Sequence, residues 1–342
     1  MMVDPIQYAK VRASAGLFDA TRAFGRLFAR GKDAIDLLHR MSTNDVKPLE
    51  QAKNVAALTF LTNEKGRMID LLKVVRDGAA ETLLITSAGK EEAVIQWLDK
   101  FTIMEDARFE RATEKIHQFL LCGLNATSIL SQFAQESITE SRTHVYDLHF
   151  ESASATLVKG PSLAGNGWFI LTSAENVPLI WDQLSQDVTA RGGAIMENEL
   201  FEVLRIENGT PMAPNEINEK HNPLETPVTS TAVSFTKGCY IGQEVIARLD
   251  AQQKVQRHLM GLRFEGGSPS IGDRIIDPTI PESAPLGNEI GEVTSAAKSP
   301  RFGSIGLAYV RGKYANPGAR LSVQDSTGNK LPITLVQLPF NV

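Results

Sequence analysis

Residues 255–342 carry the feature that most restricts the fold of this chain, a series of short apolar runs separated by turn-forming residues. The runs include RHLMGLRF, NEIGEV and GSIGLAYVRG, with glycine, proline, aspartate and asparagine between them. Runs of this length, spaced by roughly 8–12 residues, are typical of small antiparallel β-domains. The sequence therefore predicts a C-terminal antiparallel barrel or sandwich, in which the proline-rich stretch DPTIPESAPLG is a loop.

Residues 1–254 mix helical and extended patterns and are expected to form a separate region. KDAIDLLHRM places apolar side chains at positions i, i+3, i+4 and i+7, which predicts an amphipathic helix. NVAALTFLTNEKGRMIDLLKVV predicts two strands joined by a turn that contains Gly66. Because helices and strands do not alternate strictly, an α+β fold is favoured over a doubly wound one.

Composition excludes several functional classes. The net charge of −5 argues against a general nucleic-acid binder, which needs a basic surface. Two cysteines without a CxxC pair predict neither a disulfide framework nor a zinc site, and they fit a reducing compartment. With no signal peptide and no apolar run of about 18 residues, we expect a cytoplasmic monomer (in the mitochondrial matrix if the source is eukaryotic) without a membrane partner.

The segment FTKGCYIGQEVIARLD contains Cys239, one of the two cysteines. A thiol reacts as the thiolate, which nearby positive charge or a helix N-terminus stabilises. Lys237 lies two residues upstream, and a helix that starts after Gly242 would bring backbone N–H groups close to the sulfur. Cysteine also packs well as a small buried hydrophobe, so local chemistry leaves both roles open.

Asp70 lies in the apolar strand RMIDLLKVV. Side-chain alternation places Asp70 and Leu72 on one face of the strand, and Ile69 and Leu71 on the other. A carboxylate in this position faces either solvent or a ligand, and the pattern alone favours solvent.

Three further polar residues are candidates for ligand binding. Arg205 and Glu207 alternate with apolar residues in LRIENGTP. They form either a surface ion pair of little energetic value or a ligand site, in which a buried Glu207 carboxylate faces the N–H donors of a flat heterocycle. Asn44, in STNDV, follows the predicted first amphipathic helix. It belongs either to a turn or to a ligand site.

Seven stretches of the chain occur in the order found in the glycine-cleavage T-protein superfamily. They are AGLFDATR, GKDAIDLLHRMSTNDV, LTNEKGRMIDLLKVV, LRIENGTPMAPNEI, SFTKGCYIGQEVIARLD, GEVTSAAKSP and IGLAYVRG. KGCYIGQE resembles the signature of the YgfZ-type folate-binding branch. GRMIDLL keeps Asp70 but has Leu71 where aminomethyltransferases tend to carry a second acid. The resemblance implies a ring of α+β domains around a folate-binding hole, with a C-terminal antiparallel β-barrel.

The resemblance also implies a function. It points to a protein that binds tetrahydrofolate or a folate derivative and assists iron–sulfur cluster assembly or repair, supporting cluster enzymes such as those that thiolate tRNA. The expected partners are a folate and iron–sulfur client or assembly proteins. The alternative is a folate-dependent aminomethyltransferase, which needs an acid as proton shuttle.

Residue roles follow from the same resemblance. Cys239, its neighbour Lys237 and Asp70 are the candidates for catalysis. Glu207 is expected to face the pterin ring, and Arg205 belongs to the same R-x-E-x-G pattern. The whole candidate folate-binding set is Glu207, Arg205, Asp70, Asn44, Tyr240 and Gln243. No metal ligand is expected.

Overall fold

A computed structural model describes residues 3–77, 81–267, 269–281 and 288–341. The predicted loop DPTIPESAPLG includes residues 282–287, which lie outside the described residues. The helices are α1 (Pro5–Ala13), α2 (Ala34–Met41), α3 (Glu91–Asp99), α4 (Ala126–Leu130), α5 (Val177–Ala190), α6 (Asn198–Asn208), α7 (Thr229–Ala232) and α8 (Gln243–Ala251). Throughout the described ranges, helices fall short of the length and apolar content that crossing a membrane requires.

The strands divide between the two regions of the chain. The N-terminal strands are β1 (Gly16–Asp19), β2 (Phe24–Arg30), β3 (Val55–Thr62), β4 (Met68–Arg76), β5 (Thr82–Ser87), β6 (Arg108–Arg111), β7 (Ile116–Gly123), β8 (Val145–Phe150), β9 (Ala153–Lys159), β10 (Asn166–Ser173) and β11 (Ala194–Met196). The C-terminal strands are β12 (Arg257–Phe264), β13 (Arg274–Ile276), β14 (Glu289–Ser299), β15 (Gly303–Arg311), β16 (Arg320–Gln324) and β17 (Lys330–Val336).

The N-terminal strands form two sheets. The five-stranded sheet has the order β3-β4-β5-β2-β6, and the six-stranded sheet has the order β11-β1-β7-β10-β9-β8. The predicted hairpin is confirmed, because β3 and β4 pair antiparallel and Gly66 has a positive φ of 65° in the turn between them. The predicted amphipathic helix is also confirmed as α2, whose apolar face packs on the five-stranded sheet.

The C-terminal strands close into an antiparallel barrel in the order β12-β15-β14-β13-β16-β17, with β12 also pairing with β17. Buried side chains such as Leu262, Val293 and Ile333 fill its interior. Closure removes the exposed sheet edges that an open sheet would leave. The predicted α+β fold with a C-terminal β-barrel is therefore confirmed, as a barrel rather than a sandwich.

The interpretation of LRIENGTP as an extended segment with alternating faces is wrong, since its first five residues are the last residues of helix α6. Apolar residues such as Leu200, Val203 and Leu204 recur at helical spacing and are buried together, which favours the helical period over the strand period. Gly209 ends the helix with a positive φ of 71°. Two residues apart on a helix, Arg205 and Glu207 point in different directions and bind different partners.

The two sheets join along a seam formed by residues 54–56 and 143–145. The amide N–H of Ala56 donates to the carbonyl of Thr143 at 2.6 Å, and that of Val145 donates to the carbonyl of Asn54 at 3.0 Å. Buried side chains of both sheets share one hydrophobic cluster. The seam fixes the walls of the cavity described next.

Candidate functional site

A cavity of about 900 Å³ lies between the two sheets, the loop after α6 and the C-terminal residues 338–339. This volume is within the roughly 300–1,000 Å³ of small-molecule sites. Much of its wall is apolar and aromatic, with contributions from Phe24, Leu71, Ile85, Phe169, Phe201 and Met212. The cavity can therefore hold a flat organic ring.

Three cations line this cavity near the seam. They are Lys73 of β4, Arg142 of the loop before β8, and Lys159 at the end of β9. The ammonium of Lys73 donates to the carbonyl of Lys159 at 2.5 Å, while that of Lys159 pairs with Glu140 at 2.7 Å. Within the described ranges, neither Lys73 nor Arg142 has an acidic partner within ion-pair distance.

The charges at this wall act on Lys73. Burial, followed by the nearby charges of Arg142 and Lys159, lowers the pKa of Lys73 to about 8. An anion bound there would relieve this repulsion, so the seam wall can accept a carboxylate. Sequence reasoning missed these residues because they are far apart in the chain. Only the alternation in β4, which puts Lys73 on the face of Leu71, could have indicated one of them.

The expectation that Asp70 faces solvent is wrong, because its side chain is fully buried. Leu71 and Lys73 line the cavity, and Asp70 faces away from it. Its carboxylate accepts the backbone N–H of Ser87 at 2.9 Å and the Ser87 hydroxyl at 2.5 Å. Burial raises the pKa of Asp70 to about 6. Ser87, which the sequence analysis did not single out, does line the cavity.

Asn44 lines the cavity and also builds its wall. Its amide donates to the carbonyls of Leu58 at 2.8 Å and Thr231 at 2.9 Å, which ties β3 to α7. Asn44 therefore has a structural role in the cavity wall, and its role in ligand binding stays a prediction. The neighbouring Asp45 is the one carboxylate among the described residues that line this cavity.

Arg205 is buried and is not part of a surface ion pair. It donates to Glu216 at 2.9 Å and also binds Glu202 and the hydroxyl of Ser295. Ser295 belongs to β14, so this network ties α6 and the loop after it to the barrel. Arg205 is absent from the described lining of the central cavity, and its geometry is that of a residue that docks the barrel.

Glu207 is likewise buried, with partners on other elements. Its carboxylate accepts the hydroxyl of Tyr8 at 3.0 Å and that of Ser299 at 2.5 Å, and it lies 3.7 Å from Arg12. Burial raises the pKa of Glu207. Glu207 lines a second cavity of about 420 Å³, which shares Ser162, Asn208 and Pro339 with the central one. Its pterin role stays a prediction, and of the two described cavities Glu207 lines the smaller one.

Lys237 binds backbone carbonyls, and its catalytic role beside Cys239 stays a prediction. Its ammonium donates to the carbonyls of His39 at 2.5 Å, Ser42 at 2.8 Å and Asn44 at 2.9 Å. These carbonyls lie at and just beyond the C-terminal end of α2, where a cation is favourable. The residue is buried and fixes the segment that contains Cys239 against this helix end.

Cys239 is exposed and lies in the loop directly before α8, whose N-cap is Gly242. Its predicted place at a loop-to-helix junction is confirmed. It is not among the described residues that line either cavity. Cys122, in contrast, is buried, and burial raises the pKa of its thiol to about 12. A reactive role for Cys239 stays a prediction, now as a thiol at the surface.

The remaining signature residues build the loop that presents Cys239. Tyr240 is buried in a hydrophobic cluster, and burial raises its pKa to about 12. The side chain of Gln243 accepts the N–H of Tyr240 at 3.4 Å. Gly242 has φ of 80°, and a Cβ there would lie 2.6 Å from the carbonyl oxygen of Asn63. The segment thus docks closely on the β3–β4 turn.

Tyr240 and Gln243 do not appear in the described lining of either cavity, so the structure does not bring them to the predicted folate hole. Asn44 is the one member of the predicted folate-binding set that lines the central cavity in the described structure. In the same described ranges, no cluster of three or more His, Cys, Asp or Glu side chains could hold a metal ion.

Comparison with known families identifies two matching regions. Residues 6–237 match the family described as GCVT N-terminal domain, and residues 257–341 match the one described as Glycine cleavage T-protein C-terminal barrel domain. The crystal structure of glycine cleavage system aminomethyltransferase T from Bartonella henselae is similar in fold. It has a TM-score of 0.81 and 19% identity, over 99% of this chain and 91% of that one.

Similar curated proteins carry the name aminomethyltransferase. The one from Saccharopolyspora erythraea is 27% identical, over 98% of this chain and 89% of its own length. The one from Staphylococcus saprophyticus is 26% identical, over 94% and 87% respectively. That of Thermotoga maritima is also 26% identical, over 96% and 87%.

Proposed function

Since this chain belongs to the family described as GCVT N-terminal domain, we propose that it binds a reduced folate, tetrahydrofolate or a derivative, in the central cavity. The observation that carries this proposal is the pairing of an apolar wall with a cationic one. A folate joins a flat pterin to a glutamyl tail. Apolar and aromatic side chains suit the ring, and Lys73, Arg142 and Lys159 suit the tail carboxylates.

Titration calorimetry with 5-formyltetrahydrofolate, a stable reduced folate, tests this proposal. We expect saturable binding by the wild-type protein. Competition by tetrahydrofolate should be complete, while pterin without a tail should compete more weakly. Absence of binding over a millimolar range of ligand would refute the proposal.

We further propose that the protein acts as an accessory factor for iron–sulfur cluster assembly or repair. Two observations support this over transfer chemistry. The β4 side chain that faces the cavity beside Asp70 is Leu71, so no acid of that strand reaches the ligand directly. Cys239 lies at the surface, where a client protein can reach it, and it is not among the described residues that line the central cavity. The proposal thus separates a folate site inside from a thiol site outside.

Complementation of a strain that lacks the gene tests the thiol. We expect Cys239→Ala to lose tRNA thiolation while it still binds folate, and the buried-cysteine control Cys122→Ala, provided it folds, to retain both. Full restoration of thiolation by Cys239→Ala would return this cysteine to a structural role.

The second candidate function is a folate-dependent aminomethyltransferase. It is supported by the names of the similar proteins and by Asp45, a carboxylate at the cavity wall. A glycine-cleavage assay with a lipoylated carrier protein separates the two candidates. Turnover that Asp45→Asn abolishes would favour the transferase.

A further inference from the structure

The Asp70–Ser87 pair connects a buried carboxylate to the cavity that Asp70 itself does not line. One carboxylate oxygen accepts the Ser87 backbone N–H, and the other accepts the Ser87 hydroxyl. The serine is held by two bonds at the end of β5, on the cavity wall. Its position is therefore fixed by a residue behind that wall.

The direction of these bonds determines what Ser87 offers to a ligand. A serine hydroxyl has one proton to donate and two lone pairs that accept. Its proton is committed to Asp70, since the carboxylate only accepts when ionised. The neighbouring Thr86 hydroxyl donates to the backbone carbonyl of Ser87, and among the described residues no group donates to the Ser87 hydroxyl oxygen. That oxygen is an acceptor, which suits an N–H donor of a heterocycle.

We propose that Ser87 accepts an N–H of the bound ligand and couples it, through its own hydroxyl, to the carboxylate of Asp70. The inference rests on the proposed folate site, because a reduced pterin supplies ring N–H groups. Ser87 touches the ligand, and Asp70 is a positioning residue that acts through it. A proton can also cross this pair: it passes from a protonated ligand nitrogen to the Ser87 oxygen while the serine proton moves to Asp70, so charge and atoms balance.

This coupling has a measurable consequence. Hydrogen bonds in a chain polarise one another, so an N–H donated to Ser87 strengthens the bond that Ser87 makes to ionised Asp70. Lys90 is the charged side chain that acts on Asp70, and it also favours the ionised form. Because burial raises the pKa of Asp70 to about 6, part of the population is protonated near that pH. Ligand binding should then release a fraction of a proton.

Calorimetry with 5-formyltetrahydrofolate at pH 6, in buffers of different ionisation enthalpy, measures this release. We expect the wild-type protein to release protons and to bind more tightly at pH 7 than at pH 5. Asp70→Asn should remove the release. Ser87→Ala should bind about 3–10-fold more weakly and should also lose the release. Ser173→Ala is the matched control and should behave like wild type, because this serine also lies at the end of a strand and donates to a carboxylate but is outside the described lining of either cavity.

The outcomes separate this inference from the folate site itself. Failure of the wild-type protein to bind the folate removes the proposed function. Normal binding with the same proton release in Asp70→Asn or Ser87→Ala overturns the coupling and leaves the folate site intact. Thermal unfolding establishes that each variant is folded, and Ser87→Ala decides the question alone if Asp70→Asn does not fold.

Discussion

The signature segment, residues 235–243, and the seam wall of the central cavity use their lysines in opposite ways. Lys237 of the segment is buried and donates to three backbone carbonyls at the end of α2. Lys73 of the wall donates to one carbonyl and faces the cavity beside Arg142. A group with all its donors used stabilises the fold, whereas a cation with donors left over can bind a ligand. The lysine of the signature segment therefore docks that segment on the end of α2, whereas the cations available to a ligand come from distant parts of the chain.

The largest expected effect lies in the signature segment. Lys237→Met leaves three carbonyls without this donor and should lower the free energy of unfolding by about 3 kcal/mol, since hydrogen bonds to charged groups contribute roughly 1.5–3 kcal/mol. Urea unfolding measures this. Cys239→Ala, two residues away and exposed, is the control and should change stability by less than about 0.5 kcal/mol. Equal losses in both variants would contradict the comparison.

An effect of comparable size on the free energy of unfolding is expected from Asp70, behind the cavity wall, and it becomes visible when the pH is changed. The pKa of Asp70 is about 6 in the folded protein against 3.8 as its ordinary value, so the folded state holds the proton more strongly. Its favourable contribution is therefore complete below about pH 4 and is lost as pH rises through 6. The wild-type protein should lose about 3 kcal/mol more than Asp70→Asn between pH 4 and 7, at about 1.4 kcal/mol per pKa unit.

Urea unfolding of both proteins across this range isolates Asp70, because every other group titrates in both. Parallel pH profiles would mean that the buried carboxylate is already ionised at low pH, and this would remove the contrast between Asp70 and an ordinary surface acid.

The seam wall should show a smaller effect, on binding instead of stability. Lys73→Met keeps most of the length of the side chain and removes its charge, and it should weaken folate binding about tenfold, or about 1.4 kcal/mol. Arg142→Ala should act in the same direction, with both effects reduced by salt. Arg108→Ala, an exposed arginine of β6 outside the described cavity lining, is the control. Unchanged binding in both wall variants would leave the tail without its proposed partners.

The smallest effect is expected when Cys239 is replaced and folate binding is measured. Cys239→Ala should leave the folate dissociation constant within about twofold, because this cysteine does not appear in the described lining of either cavity.

A thiol reagent should label Cys239 in the native protein and Cys122 only after unfolding, because Cys122 is buried. A native protein that reacts at both cysteines would show that the core around Cys122 opens.

The sequence predicted local elements well and site geometry poorly. The hairpin at Gly66 and helix α2 followed from period and turn chemistry, which act over a few residues. LRIENGTP was misinterpreted because a short apolar run fits either period, and burial across several turns of α6 selected the helix. The positions of Glu207 and Arg205 could not follow from pattern, because their partners lie on α1, on β14 and in the loop after α6.

The sequence by itself determined the α+β composition, the C-terminal barrel and the family, since these depend on local periodicity and on the order of matching stretches. The tertiary structure alone decided which polar groups meet. It turned Asp70 away from the cavity and bound it to Ser87, brought three distant cations to one wall, and left Cys239 at the surface. Burial and hydrogen bonding between distant segments set these outcomes, and both depend on contacts that no local pattern contains.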